Sequence, residues 1–334
     1  MSGRALRSSR GANGARILGV GAFRPARVVG NDEVAAGIDS SDEWIRRRSG
    51  IATRRFADAG DTVVSMGAAA ALKALAQSGV DPARVGVVLL ASMSHLEQAP
   101  PAAPRVAQLI GAHGAAAMDV GAACAGFCHA LALADSLVRS GAADHVVVLG
   151  TERMSDIVDP HDRGTAFLFG DGAGAVVVGP AEEPGIGPVV WGSDGARHAL
   201  IAHSRSWLHT RESPDPWPTL RMAGPEVFRW ARETVPLIGR QALSAAGVGV
   251  DDLSAFIPHQ ANLRIVEAAA KALDLPPHVA VARDIVEAGN TSAASIPLAM
   301  DALLTRGDAP SGGLALLAGF GAGVVHAAQV VALP

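Results

Sequence analysis

The stretch GVDPARVGVVLLASMSH, residues 79–95, is the place to begin. Its centre, VGVVLLAS (85–92), is apolar for a full strand length with no polar alternation, the pattern of a strand covered on both faces. Gly79 stops a helical pattern that starts at Thr62 (TVVSMGAAAALKALAQSG), as glycine does at a helix C-terminus. Working outward, helix-like runs (PRVAQLIGAHG, 104–114; GFCHALALADSLVRSG, 126–141) alternate with strand-like ones (ARILGVGAF, 15–23; HVVVLG, 145–150; GAGAVVVG, 172–179). The alternation predicts an α/β fold with buried strands. The same order of pieces recurs later. GVGVDDLSAFIPHQ (247–260) leads to a helix starting near Asn290, then come LALLAG (314–319) and FGAGVVHAAQVV (320–331). His95 precedes Cys124 by 29 residues and His259 precedes Asn290 by 31. The spacing is too long for a solenoid repeat and predicts a duplicated α/β unit. The expected division is a flexible tail over 1–15, a first half over 16–183 and a second over 184–334, with the seam at PAEEPGIGP (180–188).

Composition narrows the classes. The chain has 334 residues, 49% hydrophobic and 18% charged, with a net charge of −4. It is too apolar to be disordered and too acidic for a general nucleic-acid binder. Two cysteines, Cys124 and Cys128, cannot make a disulfide scaffold, and with no Cys/His pair nearby they do not make a structural zinc site. The reducing cytoplasm fits this usage. The uncharged stretch from Ser311 to Pro334 contains five glycines, His326 and Gln329, and reads as two strands around a turn rather than a membrane span. The N-terminus has arginines but no apolar segment, so it is not a secretory signal; a transit peptide is the lesser alternative.

Three residues can do chemistry. Cys124, in DVGAACAGF (119–127), sits where a helix begins, and the helix dipole is expected to lower its thiol pKa. Small neighbours leave room for a substrate to approach. His259, in FIPHQANLR (256–264), follows a strand-like run and suits acid–base work. Asn290, in EAGNTSAAS (287–295), stands at a predicted helix N-cap. Each has a plainer reading alone: a small buried hydrophobe, a structural histidine, ordinary capping. Cys128, one turn beyond Cys124, belongs in the helix interior. The glycine-rich FGDGAGA and GFGAG lack nucleotide-binding spacing and instead offer backbone N–H groups for an oxyanion.

Taken together the segments resemble the β-ketoacyl-acyl carrier protein synthase III family of the thiolase superfamily. The matching segments are SSDEWIRRRSGI (40–51), DVGAACAGF, DRGTAFLFGDGAGAVVV (162–178), MAGPEVF (222–228), PHQANLR (258–264), GNTSAASIP (289–297) and GFGAG (319–323), in family order. The resemblance implies a thiolase-like five-layered αβαβα fold of two similar halves, a homodimer, and no metal or organic cofactor. It implies acyl transfer from acyl-CoA to Cys124, then decarboxylative condensation with malonyl-acyl carrier protein, in fatty-acid initiation or polyketide priming. His259 and Asn290 would polarise the extender thioester; the N–H groups of Cys124 and Ala322 would hold the oxyanion; Phe320 would lie beside Cys and His. Trp44 and Arg163 match positions that sandwich the CoA adenine, with Arg48 placed for phosphate. Arg229, Arg264 and Lys271 match a basic patch for the acidic carrier protein; the last two, seven apart on one helix, share a face.

Four features depart from the family pattern. Pro225 replaces a common Asn that contacts the pantetheine arm. His326 replaces a common Trp. The segment 94–108 (SHLEQAPPAAPRVAQ), which in the family caps the partner's acyl pocket, is longer and proline-rich, with Pro100 as the candidate gate. Residues 196–218 match no pattern. These changes point to an acyl group other than acetyl. The alternatives are an acyltransferase on the same scaffold that forms no C–C bond, and a non-catalytic partner subunit. The intact Cys, His and Asn weigh against both, and a thiolase proper would need a second cysteine near the C-terminus.

Overall fold

The computed structural model describes residue 9, residues 11–213 and residues 216–334. Residues 1–8 and 10 of the expected tail lie outside the described residues, and the first strand already begins at Gly14.

The strands are β1 (Gly14–Phe23), β2 (Arg27–Gly30), β3 (Thr53–Phe56), β4 (Val85–Ala91), β5 (Ala116–Val120), β6 (His145–Glu152) and β7 (Gly172–Ala181), then β8 (Val190–Ser193), β9 (Ile201–His203), β10 (Leu220–Met222), β11 (Leu253–Pro258), β12 (Ala280–Val281), β13 (Leu314–Gly321) and β14 (Val325–Ala332). The helices are α1 (Asn31–Ile38), α2 (Asp42–Ser49), α3 (Val63–Ser78), α4 (Ala102–Leu109), α5 (Gly126–Arg139), α6 (Trp207–Glu212), α7 (Gly224–Ala246), α8 (Leu263–Ala272), α9 (Ile285–Ala288) and α10 (Ser295–Arg306).

Two five-stranded sheets carry the fold, in the orders β1-β7-β6-β4-β5 and β8-β14-β13-β11-β12. Read in those directions, both sheets run antiparallel, antiparallel, parallel, parallel. This shared topology is what the repeat in the sequence encodes. The chain passes from the first sheet to the second over residues 182–189, where Ile186 is buried in the central core.

Side-chain alternation along the strands sorts the core into layers. Val146 and Val148 of β6 face the central core, with α5 and α10, while Val147 and Leu149 face α3 and α4. In β13, Ala315 and Leu317 face the central core, and Leu316, Ala318 and Phe320 face α7 and α8. The order is therefore α3/α4, first sheet, α5/α10, second sheet, α7/α8: five layers, αβαβα. Gly150 permits the closest approach in the middle, since a Cβ there would lie 2.1 Å from the Ala293 carbonyl oxygen.

Local chemistry sets the ends. The Thr62 and Ser65 side chains form a reciprocal capping box at the start of α3, and Gly79 closes it in the left-handed region. Pro225 occupies the first turn of α7, where its missing N–H costs no intrahelical bond. The helix expected over 104–114 runs over Ala102–Leu109 instead: the Asp119 carboxylate accepts from the N–H groups of Ala102 and Ala103, which starts it early, and Gly111 at φ 81° follows its end. No helix among the described residues is long and apolar enough to cross a membrane.

Candidate active site

A cavity of about 750 Å³ opens between the two halves, and Cys124, His259, Asn290, Phe320 and Gly321 all line it. Four of these are almost wholly buried: Cys124 at 6%, His259 at 2%, Asn290 at 4% and Phe320 at 2% exposure. Exposed arginines line it too: Arg48, Arg163, Arg229, Arg232 and Arg264.

Cys124 sits in a single 3₁₀ turn, Ala123–Ala125, between β5 and α5. Ala123 holds φ at 44°, in the left-handed region that costs an alanine about 1–2 kcal/mol. The turn also needs Gly321, because a Cβ there would lie 2.8 Å from the Cys124 Cβ. The expectation of a lowered thiol pKa is overturned in the closed site. Burial pushes the Cys124 thiol up to about 12 and outweighs what opposes it: hydrogen bonds from the Ser292 hydroxyl and from the backbone N–H groups of Cys124 and Ala322. Those two N–H groups are the expected oxyanion donors, and both lie close to the sulfur. Cys128 lies in the central core at 0% exposure, its thiol likewise pushed up by burial.

His259 follows β11, and its Nδ1 lies 2.7 Å from Ser295 Oγ, which also accepts from the Gln260 N–H. Burial pushes its pKa down to about 3, so the ring is neutral. Phe320 packs edge-on against it at 5.0 Å and against Trp230 at 6.2 Å. Asn290 is not the N-cap of a helix: the 3₁₀ turn Ser292–Ala294 and then α10 begin after it. Its Oδ1 accepts from the Ser292 N–H at 2.9 Å, which leaves the Nδ2 hydrogens as the donors for a ligand.

The outer residues divide. Arg163 lies over the Trp44 indole at 4.9 Å and Arg48 at 5.7 Å, so a base entering between Trp44 and Arg163 must displace the guanidinium. Arg229 and Arg264 line the cavity, and Arg264 stacks on Phe228 at 4.9 Å. Lys271 does not line it; seven residues along α8 put it roughly 10 Å from Arg264. Arg232, also over the Phe228 ring at 5.7 Å, completes the cluster and was missed in the sequence, although it stands three residues after Arg229 on α7. Pro100 is exposed and does not line the cavity of its own chain. Pro225 does line it. His326 lies outside it, half-buried on β14 opposite Gly192. The unplaced segment 196–218 forms β9, α6 and the approach to β10; Ile201 and Leu220 of this ribbon wall the cavity. Residues 214 and 215 of it lie outside the described residues.

Comparisons with known proteins place the chain among relatives of the same fold. Residues 118–195 match the family 3-oxoacyl-[acyl-carrier-protein] synthase III, and residues 243–333 match its C-terminal unit. A β-ketoacyl-[acyl-carrier-protein] synthase III of Streptomyces coelicolor is 52% identical over 98% of this chain and 99% of its own length. The mycobacterial β-ketoacyl-[acyl-carrier-protein] synthase III of Mycobacterium tuberculosis is 48% identical, covering 98% of both chains. Among solved structures, a priming β-ketosynthase of a polyketide biosynthetic pathway superimposes with a TM-score of 0.97 at 48% identity, covering 99% of each chain. The synthase III of Pseudomonas aeruginosa superimposes with a TM-score of 0.88 at 39% identity, covering 96% of this chain and 99% of that one. Similarity of this extent over nearly the whole chain is that of common descent, and the chain belongs to the 3-oxoacyl-[acyl-carrier-protein] synthase III family.

Proposed function

We propose that this chain is a cytoplasmic condensing enzyme that loads an acyl group from acyl-CoA onto Cys124 and joins it to a malonyl unit on acyl carrier protein, giving a β-ketoacyl product. The observation that carries the reading is the convergence of one thiol, one neutral imidazole and one oriented carboxamide in a single buried cavity.

The thiolate of Cys124 attacks the thioester carbonyl, the oxyanion falls to the N–H groups of Cys124 and Ala322, and the CoA thiolate leaves. A malonyl thioester then loses CO₂, and the resulting enolate oxygen needs donors. His259 is suited to donate rather than to accept, because burial keeps it neutral. Nδ1 lies against Ser295 Oγ; in the tautomer in which that hydroxyl donates to Nδ1, the ring proton is on Nε2, and Asn290 supplies Nδ2 beside it. One such donor is worth about 3–4 kcal/mol of barrier. The enolate carbon attacks the acyl-Cys carbonyl and expels the thiolate. The paired donors favour C–C bond formation over plain transfer to a hydroxyl or amine, which needs no enolate.

Trp44, Arg48 and Arg163 would take the CoA nucleotide, and Arg229, Arg232 and Arg264 would attract the acidic carrier protein, with Lys271 extending the patch. A second copy of the chain would add to β5, an edge of the first sheet whose Met118 is 45% exposed, and bring its Pro100 loop to the neighbour's acyl pocket. Pro225 in the cavity wall, where the family pattern has Asn, favours an acyl group other than acetyl.

Intact-mass measurement after incubation with acetyl-, isobutyryl-, hexanoyl-, malonyl- and benzoyl-CoA tests the reading. One acyl adduct is expected, absent in Cys124→Ala. Release of ¹⁴CO₂ from labelled malonyl carrier protein is then expected from the acylated enzyme. No adduct from any CoA or acyl carrier protein would overturn the reading, and an adduct without ¹⁴CO₂ would favour acyl transfer without condensation.

A further inference from the structure

One buried ionisable group beside the nucleophile has no task in that scheme. Glu152, the last residue of β6, is 0% exposed. Its carboxylate accepts from Ser92 Oγ at 3.0 Å, the Met93 and Ser94 N–H groups at 3.1 Å, Ser94 Oγ, and the Ala293 N–H at 3.3 Å. Among the described residues no cation is paired with it. A buried carboxylate held only by neutral donors is a costly thing to keep. It also hydrogen-bonds Ser292, and the Ser292 hydroxyl lies 3.3 Å from Cys124 Sγ. A hydroxyl has one proton and two lone pairs. Ser292 can therefore accept from the thiol while donating to the carboxylate, or donate to a thiolate while accepting from a carboxylic acid.

We propose that Glu152 takes the Cys124 proton through Ser292, keeps it while Cys124 is acylated, and takes part again by returning it to the thiolate that condensation expels. The proposal rests on the reading of Cys124 as the acyl-accepting nucleophile. The step balances: the S–H bond breaks, Ser292 passes on its own proton as it receives another, and an O–H bond forms on Glu152. The acyl group then moves to sulfur and the CoA thiolate takes its proton from water. When the β-ketoacyl product leaves, the reverse transfer restores thiol and carboxylate. Burial raises both the thiol and the Glu152 carboxyl, with Glu152's own charge adding to the thiol's rise, as for two groups that share one proton. His259 is the other acceptor in reach of the cavity, and at about 3 it is the weaker base.

Alkylation of Cys124 by iodoacetamide tests this without any acyl donor. The reaction replaces the sulfur's proton with carbon and releases iodide, so the proton must go to water or to Glu152. In weakly buffered indicator solution at pH 7, with adducts counted by intact mass and mapped to Cys124, wild type is expected to release no proton. Glu152→Gln is expected to release one proton per adduct. A merely structural glutamate would not alter that stoichiometry. Ser292→Gly removes the relay hydroxyl, leaves Glu152 its bonds from Ser92, Met93, Ser94 and Ala293, and suits a residue whose φ is 47°, so it should fold; its alkylation is expected to slow by about tenfold or more. One proton per adduct from wild type, equal release from wild type and Glu152→Gln, an unslowed Ser292→Gly, or a thiol inert at pH 7 would each overturn the proposal. Proton retention in a protein that no acyl-CoA or acyl carrier protein acylates would instead overturn the reading of the function and leave the pair standing.

Discussion

The turn that carries Cys124 and the turn that carries Ser292 stand at matching places in the two halves. Each is a single 3₁₀ turn, Ala123–Ala125 and Ser292–Ala294, and each feeds a helix of the middle layer, α5 and α10. Each opens on a non-glycine residue in the left-handed region, Ala123 at 44° and Ser292 at 47°. They pack against one another at the base of the cavity. The difference is chemical. Around Cys124 the chain is Gly, Ala, Ala, Cys, Ala, Gly, with one reactive atom and backbone N–H groups; around Ser292 it is Asn, Thr, Ser, Ala, Ala, Ser. One backbone shape has been used twice, once to present a sulfur and once to present the hydrogen-bonding groups that surround it. The two kinds of group come from halves far apart in sequence, so each can be removed without the other.

The largest effect should come from testing that separation. Cys124→Ala is expected to abolish the acyl adduct and lower kcat/KM for condensation by about 10⁴-fold or more. Asn290→Ala and His259→Ala should keep the adduct by mass spectrometry, yet each lose about 10²–10³ in ¹⁴CO₂ release. A loss of acylation as large as that of condensation in Asn290→Ala would erase the division of labour between the turns.

Acid should reveal the histidine that stands beside the second turn. His259 is held neutral by burial, with its pKa pushed down from 6.5 to about 3. The unfolded chain then binds one more proton than the native one once pH falls below 6.5. Stability is present above that pH and is lost as pH drops towards 3, by about 1.4 kcal/mol per pH unit. Urea unfolding at pH 6.5, 5.5 and 4.5 should show this slope in wild type and a shallower one in His259→Asn. Equal slopes would place the native proton on the ring after all.

How much of this was legible in the chain depends on how a residue's surroundings are made. The strands β4, β6, β7, β13 and β14 lie on continuous apolar runs because helices cover both their faces, and the repeat of order was visible for the same reason. The strand β3, Thr-Arg-Arg-Phe, was not: Arg54 is fully buried by bonding Asn31 and the Phe167 carbonyl, partners distant in sequence. β5 did not stand out, since an edge strand with three of its five residues exposed lacks a clear period. Cys124, His259 and Asn290 stood out through their motifs. Glu152 did not, because a glutamate after Val-Val-Val-Leu-Gly-Thr reads as the end of a strand, and only the fold shows Ser92, Ser94 and Ser292 closing around it. Arg163 and Trp44 were paired correctly in space but as two walls of a gap, whereas they are in contact.

The close packing of the first turn gives a smaller effect. In Gly321→Ala the new methyl would press on the Cys124 backbone at 2.9 Å from its nitrogen, where nothing flexible can yield. A loss of about 1–3 kcal/mol in urea unfolding is expected, together with slower acylation as the thiol shifts. Unchanged stability would mean that the turn is softer than its partner.

The smallest expected effect bears on the shape that both turns share. Ala123 gives up about 1–2 kcal/mol to sit at φ 44°, and glycine would remove most of that strain. Glycine also gains freedom in the unfolded chain, worth roughly 0.5–1 kcal/mol against folding. Ala123→Gly should therefore leave stability level or raise it by up to about 1 kcal/mol, measured by urea unfolding beside Ser292→Gly. Ser292→Gly starts from the same strain but loses a hydroxyl bonded to both Glu152 and Cys124, so it should fall below Ala123→Gly by about 1 kcal/mol or more. If the two glycines behaved alike, the backbone alone would set the energy of these turns. If Ala123→Gly proved the worse, the alanine methyl would be contributing contacts that outweigh its strain, and the likeness between the two turns would be geometric without being energetic.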